Sequence, residues 1–314
     1  MSGMTFTNLI NKGMGLYREG KFWEGYLLMT AHADHVPRND AQVYDFRASL
    51  ACRAGHPELG RALLEEAVFE KGCWYTSKYL LEDEDIKPAT ELPGFQRLLD
   101  VCAEREREAK ATAKSELFLV RGKEAGERKP LIIMLHGNMQ NAAIAQEDWS
   151  AATEAGYDMA FVQSSQISFY EAFVWDDIEA GVKDLKAAYG SLKAKGELED
   201  RDVILAGFSA GARLALYALL NDIVDVKGSI LVGPWLPEIE EWLPQVAALS
   251  GKGIFTLIGD QDIECLSGAK RLADALDCAQ HPNLLHISKG IGHDYPEDFG
   301  NILPMAIQVA TGRI

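Results

Sequence analysis

The chain has 314 residues, 47% of them hydrophobic, which is enough for one large domain or two ordinary ones and is too apolar for disorder. Its 47 acidic residues outnumber 31 basic ones, for a formal net charge of −16. That charge repels nucleic acid and anionic membrane surfaces, so neither is expected as a partner, while a neutral substrate is unaffected. No apolar run approaches the length of a membrane span, and the stretch from Met1 to Phe6 lacks a basic segment leading into an apolar one, so the expected location is the cytoplasm. The five cysteines (Cys52, Cys73, Cys102, Cys265 and Cys278) show no metal-ligand spacing and are expected to be reduced and buried.

From Thr7 to about Lys114 the pattern is helical. Leu9, Ile10, Met14 and Tyr17 mark one apolar face, and Phe22, Trp23, Tyr26, Leu27 and Met29 mark a second, with a break at Gly20. A third helix through Tyr44, Phe46, Leu50 and Ala51 breaks at Gly55, and a fourth through Leu59, Leu63, Leu64, Val68 and Phe69 ends at Gly72. Registering the chain on Gly20 and Gly55 aligns Gly13 with Ala48, Gly25 with Gly60 and Met29 with Leu64. This spacing is close to the ~34 residues of a helix-pair repeat. The stretch from Thr7 to Cys73 thus resembles tetratricopeptide repeats, departing where the first helix of a repeat usually carries a bulky aromatic. The segment from Leu80 to Leu99 then runs from an acidic helix end through Pro88 and Pro93 into a short helix. The mixed-charge run from Glu104 to Lys110 reads as a solvated helix linking two domains, 1–114 and 115–314.

After Ser115 short apolar runs alternate with amphipathic helices. Strands are predicted over Leu117–Val120, Leu131–Leu135, Met159–Val162, Val203–Ala206, Ile230–Val232, Ile254–Ile258 and Leu284–Ile287. Helices are predicted through Ile144, Trp149 and Ala152, over Asp176–Lys195, after Ser209, and over Ile239–Leu249, Leu266–Leu276 and Phe299–Val309. Such alternation implies crossover units and an α/β fold with a doubly wound, mostly parallel sheet, here preceded by a small all-α domain.

In a sheet of this kind reactive groups gather at the carboxyl ends of the strands. Gly207, Ser209 and Gly211 supply G-x-S-x-G where a fully apolar strand meets a helix rich in alanine and leucine. That is the pattern of a nucleophile elbow, whose tight turn needs small neighbours. Later strand ends carry Gly259-Asp260-Gln261-Asp262 and Gly292-His293, so serine, acid and histidine follow one another in the chain order of α/β-hydrolases. With Leu135-His136-Gly137 at an early strand end, residues from Ser115 onward resemble an α/β-hydrolase of the predicted-esterase kind, near the phospholipase/carboxylesterase and dienelactone-hydrolase groups. The chain lacks the H-G-G-G motif of the hormone-sensitive-lipase relatives.

The resemblance implies roles. Ser209 would be the nucleophile, His293 its general base, and Asp262 the acid that holds the imidazole tautomer, with Asp260 two residues upstream as the alternative acid. Ala210 would give one oxyanion N–H and Asn138 the other, with Met139 as alternative. His286 and His136 read as packed or structural histidines. No sequence pattern points to a cofactor or a metal. The expected activity is hydrolysis of a small-molecule carboxylic ester, or a thioester or peptide-like amide, through an acyl-enzyme. The alternative is an interaction protein that binds a partner or oligomerises through its helices. The short Gly233–Pro237 connection leaves no room for an inserted lid, so the helical domain is expected to wall the pocket through Trp23, Tyr26, Trp74 or Tyr75, opposite Phe169, Tyr170 and Trp235, the alternative being that it docks on the far side of the sheet.

Overall fold

The computed structural model describes residues 4–33, 39–123, 129–246, 249 and 251–313. It divides into two compact units. The first comprises residues 1–114 together with 139–141 and 167–173; the second comprises 115–138, 142–166 and 174–314. Among the described residues no helix is long and apolar enough to cross a membrane.

The first unit is helical. α1 (Phe6–Arg18), α2 (Phe22–His32), α3 (Asp40–Arg53) and α4 (Pro57–Glu65) follow one another, and a single π-helical turn (Glu66–Glu70) extends α4. The turns between α1 and α2 and between α3 and α4 reverse at Gly20 and Gly55, with φ of +72° and +88°. L side chains avoid that region, so the two breaks are backbone requirements. Small residues then let the helices close up: a Cβ at Gly60 would overlap the Cys52 sulfur, and one at Gly25 would meet the Leu50 side chain. Met29 and Leu64, the matched large positions, are fully buried.

Three further helices complete this unit: α5 (Ser77–Glu82), α6 (Lys87–Thr90) and α7 (Gln96–Thr112). The charged run from Glu104 to Lys110 lies inside α7 and is helical, as expected. Arg105 there donates to the Cys73 carbonyl at 2.8 Å and also to the Val68 carbonyl. Val68 lies within the π-helical turn, in the last stretch of the helix, and Cys73 lies beyond it, where carbonyls lose their helical partners.

A hairpin absent from the sequence expectations joins this unit. β4 (Ile167–Phe169) and β5 (Ala172–Phe173) pair antiparallel, and Gln140 bridges to Phe173. Phe169 and Ala172 pack in one core with Trp74, Tyr75, Leu80 and Leu98. Tyr75 donates its hydroxyl to the Ala41 carbonyl at 2.8 Å, and its ring lies 5.8 Å from Phe169. Trp74, Tyr75 and Phe169, expected at an acyl pocket, are therefore committed to the core of the helical unit.

The second unit is a seven-stranded sheet. Its strands are β1 (Glu116–Val120), β2 (Leu131–Leu135), β3 (Asp158–Gln163), β6 (Val203–Phe208), β7 (Gly228–Val232), β8 (Gly253–Gly259) and β9 (Asn283–Ser288), in the order β1-β3-β2-β6-β7-β8-β9. Only β1 runs antiparallel, against β3. Strands β2, β6, β7 and β8 are buried along their whole length, because both faces are covered. One face carries α10 (Ile178–Ala194), α11 (Ala210–Leu220) and α12 (Ile239–Val246) over Leu131, Ile133, Leu135 and Leu205. The opposite face packs Ile132, Met134, Ile204 and Phe208 against α8 (Ala142–Asp148), α9 (Ser150–Glu154) and α14 (Phe299–Ala310).

Some boundaries differ from the sequence expectations. The helix expected through Ile144 and Ala152 is two, broken at Trp149, whose buried indole donates to the Tyr295 hydroxyl at 3.1 Å. α12 ends at Val246, and most of the expected extension to Leu249 lies outside the described residues. Cys278, at the end of α13 (Leu266–Cys278), is exposed, whereas the other four cysteines are buried; all five are free thiols.

Candidate active site

The chain passes from β2 outward to β3, then returns to β6 and continues through β7, β8 and β9 in the other direction. The order therefore reverses between β2 and β6, where ligands characteristically bind in sheets of this class. In register, Leu135 stands beside Gly207, which brings His136-Gly137 next to Ser209. A Cβ on Gly211 would overlap the Leu135 and His136 carbonyl oxygens, so the start of α11 can lie against this loop only as glycine.

Ser209 sits on the turn between β6 and α11 with φ +53° and ψ −117°. For a residue with a Cβ such a conformation costs on the order of 1–3 kcal/mol and persists only where its surroundings over-determine it. They do so here. The Ser209 N–H donates to Val232 at 2.9 Å, and its carbonyl accepts from Arg213 at 3.1 Å and Trp235 at 3.3 Å. The next residue, Ala210, opens α11, where backbone N–H groups lack helical partners and point at the turn.

Asp262 lies two strand ends away, after β8, and His293 three away, after β9. His293 Nδ1–H donates to Asp262 Oδ2 at 2.7 Å, and Asp262 is 4% exposed. Asp260 points elsewhere: its Oδ1 accepts the Gly290 N–H at 2.7 Å, while its own N–H donates to Ser288. Gln261 N–H adds a bond to the Ile291 carbonyl at 2.9 Å. The loop after β8 is thus stitched to the loop that carries His293, and a Cβ at Gly259 would overlap the Ile291 and Gly292 carbonyls. The His293 ring rests 4.8 Å from Phe208, which in turn stacks on Tyr295 at 5.0 Å. A Cβ at Gly233 would come within 3.2 Å of the imidazole and 3.4 Å of the Phe208 ring.

The loop after β2 is held by a network that the sequence did not suggest. His136 is fully buried, and burial lowers its pKa to about 4, so the ring is neutral at ordinary pH. Its Nδ1–H faces the Gly137 carbonyl at 2.7 Å, and its Nε2 accepts the Ser164 N–H at 3.2 Å. Trp175 donates its indole N–H to the His136 carbonyl at 2.7 Å, and its backbone N–H to Asn138 Oδ1 at 2.8 Å. Asn138 Nδ2 reaches Asp176 at 2.8 Å. The Asn138 side chain is thereby tied down. The Met139 N–H, the alternative oxyanion donor, instead donates to the Phe173 carbonyl at 2.8 Å. Ser165, at the end of β3, is bonded by both N–H and hydroxyl to Asp184, and His286 lies on β9 with its ring stacked 6.4 Å from Phe255.

Cys265 was not singled out from the sequence beyond its burial. Its sulfur lies 3.7 Å from His293 Nδ1. Burial, reinforced by the Asp262 carboxylate, pushes its thiol pKa far up.

The comparisons with known proteins agree with this architecture. A family model described as the N-terminal domain of A/B hydrolase-like proteins matches residues 5–110. No curated protein matches the chain. Among solved structures, an uncharacterized protein from Bacillus cereus is 35% identical over 99% of this chain and 100% of its own, with a TM-score of 0.55. Esterase PE8 is similar in fold, at 21% identity and a TM-score of 0.53 over 63% of this chain and 99% of its own. With helices on both faces of the sheet, Ser209 on a strained strand-to-helix turn and this likeness over its whole length, the chain belongs to the same family as the Bacillus cereus protein, with the fold of the α/β-hydrolases.

Proposed function

We propose that the protein is a serine hydrolase that cleaves a carboxylic ester or thioester through an acyl-enzyme on Ser209. The observation that supports this reading most is the combination of a serine at φ +53° after β6 with a buried acid held 2.7 Å from a half-buried imidazole at the ends of β8 and β9. His293, with Nδ1 committed to Asp262, presents Nε2 as the basic atom. In acylation it would take the Ser209 hydroxyl proton as Oγ bonds to the substrate carbonyl carbon. It would then return that proton to the leaving alcohol or thiol; water repeats the cycle and frees the acid. Ala210 N–H and the Asn138 backbone would hold the oxyanion, Met139 N–H being engaged already. Similarity in fold to esterase PE8 fits an ester substrate.

The test is labelling with a fluorophosphonate, followed by a panel of nitrophenyl esters of increasing chain length with thioesters alongside. One label per chain, located on Ser209 by peptide mapping, together with turnover of a panel member, is the expected result. Absence of label on the folded protein, or undiminished turnover in Ser209→Ala, would overturn the reading. In the variant kcat should fall by about 10⁶-fold, as when a triad serine is removed.

A further inference from the structure

Among the described residues one set of three side chains brings metal-ligating atoms together, and it includes the acid–imidazole pair itself: Asp262, Cys265 and His293, whose donor atoms all lie within 4.8 Å of one another. Asp262 and Cys265 are buried, at 4% and 3% exposure. The His293 side chain is 34% exposed, which leaves an approach from solvent. The three are invisible as a set in the sequence because Cys265 and His293 stand 28 positions apart.

The donor set is sulfur, nitrogen and carboxylate oxygen, a mixture that suits zinc and not the all-oxygen preference of magnesium or calcium. With Zn–S near 2.3 Å and Zn–N near 2.0–2.1 Å, a tetrahedral site separates its sulfur and nitrogen by about 3.6 Å. Here Cys265 Sγ and His293 Nδ1 are 3.7 Å apart. The nitrogen-to-carboxylate separation of 2.7 Å is that of a hydrogen bond and would open to about 3.4 Å once the bridging proton gives way to a metal.

We infer that Asp262, Cys265 and His293 form an inhibitory zinc site built into the hydrolytic centre. Binding does not depend on the hydrolase reading; the inhibition does. The Cys265 thiol proton leaves to solvent as sulfur bonds to Zn²⁺. The proton on His293 Nδ1 leaves as that nitrogen takes up the metal, and Nε2 picks up a proton, so the ring stays neutral. Two anionic ligands balance the 2+ charge, and water completes the four-coordinate shell. The nitrogen that should accept the Ser209 proton now carries one of its own. Zinc thus locks the imidazole into the tautomer that cannot act as base, the defect otherwise produced by removing the acid's charge.

Cobalt(II) reports the site directly, because a thiolate ligand gives an intense charge-transfer band in the near ultraviolet. The full chain titrated with cobalt should show this band, and Ser209→Ala should show it equally, since the serine is no ligand. Cys265→Ala and Cys265→Ser should lose it. Zinc should abolish turnover of the unmodified chain, and the concentration needed should rise at least about tenfold in both Cys265 variants, the lower end of what losing even an outer partner of a metal costs. A band that survives in the Cys265 variants and vanishes in Cys278→Ser would move the metal to the exposed thiol and overturn the inference, as would equal zinc sensitivity in all variants. If the chain hydrolyses nothing, the cobalt spectra still decide the site, whereas a missing Ser209 label decides the hydrolase reading.

Discussion

An imidazole works as a base only when the proton it already carries is held on the other nitrogen, and in the proposed mechanism that restraint is the single 2.7 Å bond from His293 to Asp262. Asp262→Asn should therefore cut kcat by about 10⁴-fold, because an amide can present a donor and turn the ring over. Asp260→Asn, read in the same assay, should leave the chemistry nearly intact and lower the melting temperature, since its carboxylate holds the Gly290 N–H of the histidine loop. A buried histidine gives a second prediction at this scale. His136 has a folded pKa of about 4 against roughly 6.5 when unfolded. Over that window the unfolded chain binds the extra proton, so stability is complete above pH 6.5 and falls as the pH drops towards 4, by up to about 3 kcal/mol. His136→Gln should be less stable at pH 7.5 yet lose less on acidification, which chemical denaturation at a series of pH values would show.

Where elements touch, glycine decides the outcome. Gly211→Ala should cost about 1–3 kcal/mol or more, because the added carbon would overlap two carbonyl oxygens of the neighbouring loop. Gly15→Ala, in the middle of α1 with open space around it, should instead stabilise by roughly 0.5–1 kcal/mol. Thermal melts of the two variants check both signs. The elements most readable from sequence were those whose physics is local. Apolar runs such as Leu131–Leu135 could only be buried strands, and the elbow serine stood between a strand pattern and a helix pattern. The β4–β5 hairpin escaped because its strands have three and two residues and their aromatic side chains mimic pocket lining. Cys265 escaped for a different reason. Its meaning lies in a contact across 28 positions, which no periodicity records. Arg105 was hidden by its charged neighbours, since nothing in a mixed-charge run reveals that one member reaches back to orphaned carbonyls.

At the scale of the whole molecule, the chain leaves the sheet unit twice to contribute 139–141 and 167–173 to the helical one. A deletion of 1–114 therefore removes more than an appendage. It strips the partners of Phe169 and Ala172 and of the Asn39 side chain's acceptors at Met139 and Glu171. Residue 139 is covalently next to Asn138, so the loop proposed to bind the oxyanion would lose its anchor. The expected result is a truncated chain that binds hydrophobic dye, melts early and turns over esters at least tenfold more slowly; full activity and an unchanged melt would show that the two excursions are dispensable.

The same shared core bears on the order in which the protein is made. When residue 114 has been added, Tyr75, Trp74 and Leu80 still await Phe169 and Ala172. Roughly 60 more residues must follow, which at about 5–20 residues per second takes some 3–12 s. During that interval a nascent helical array displays an apolar seam with nothing to cover it. A ribosome-bound chain stopped at residue 114 should be open to protease and to chaperone capture, and one extended well beyond residue 173 should close.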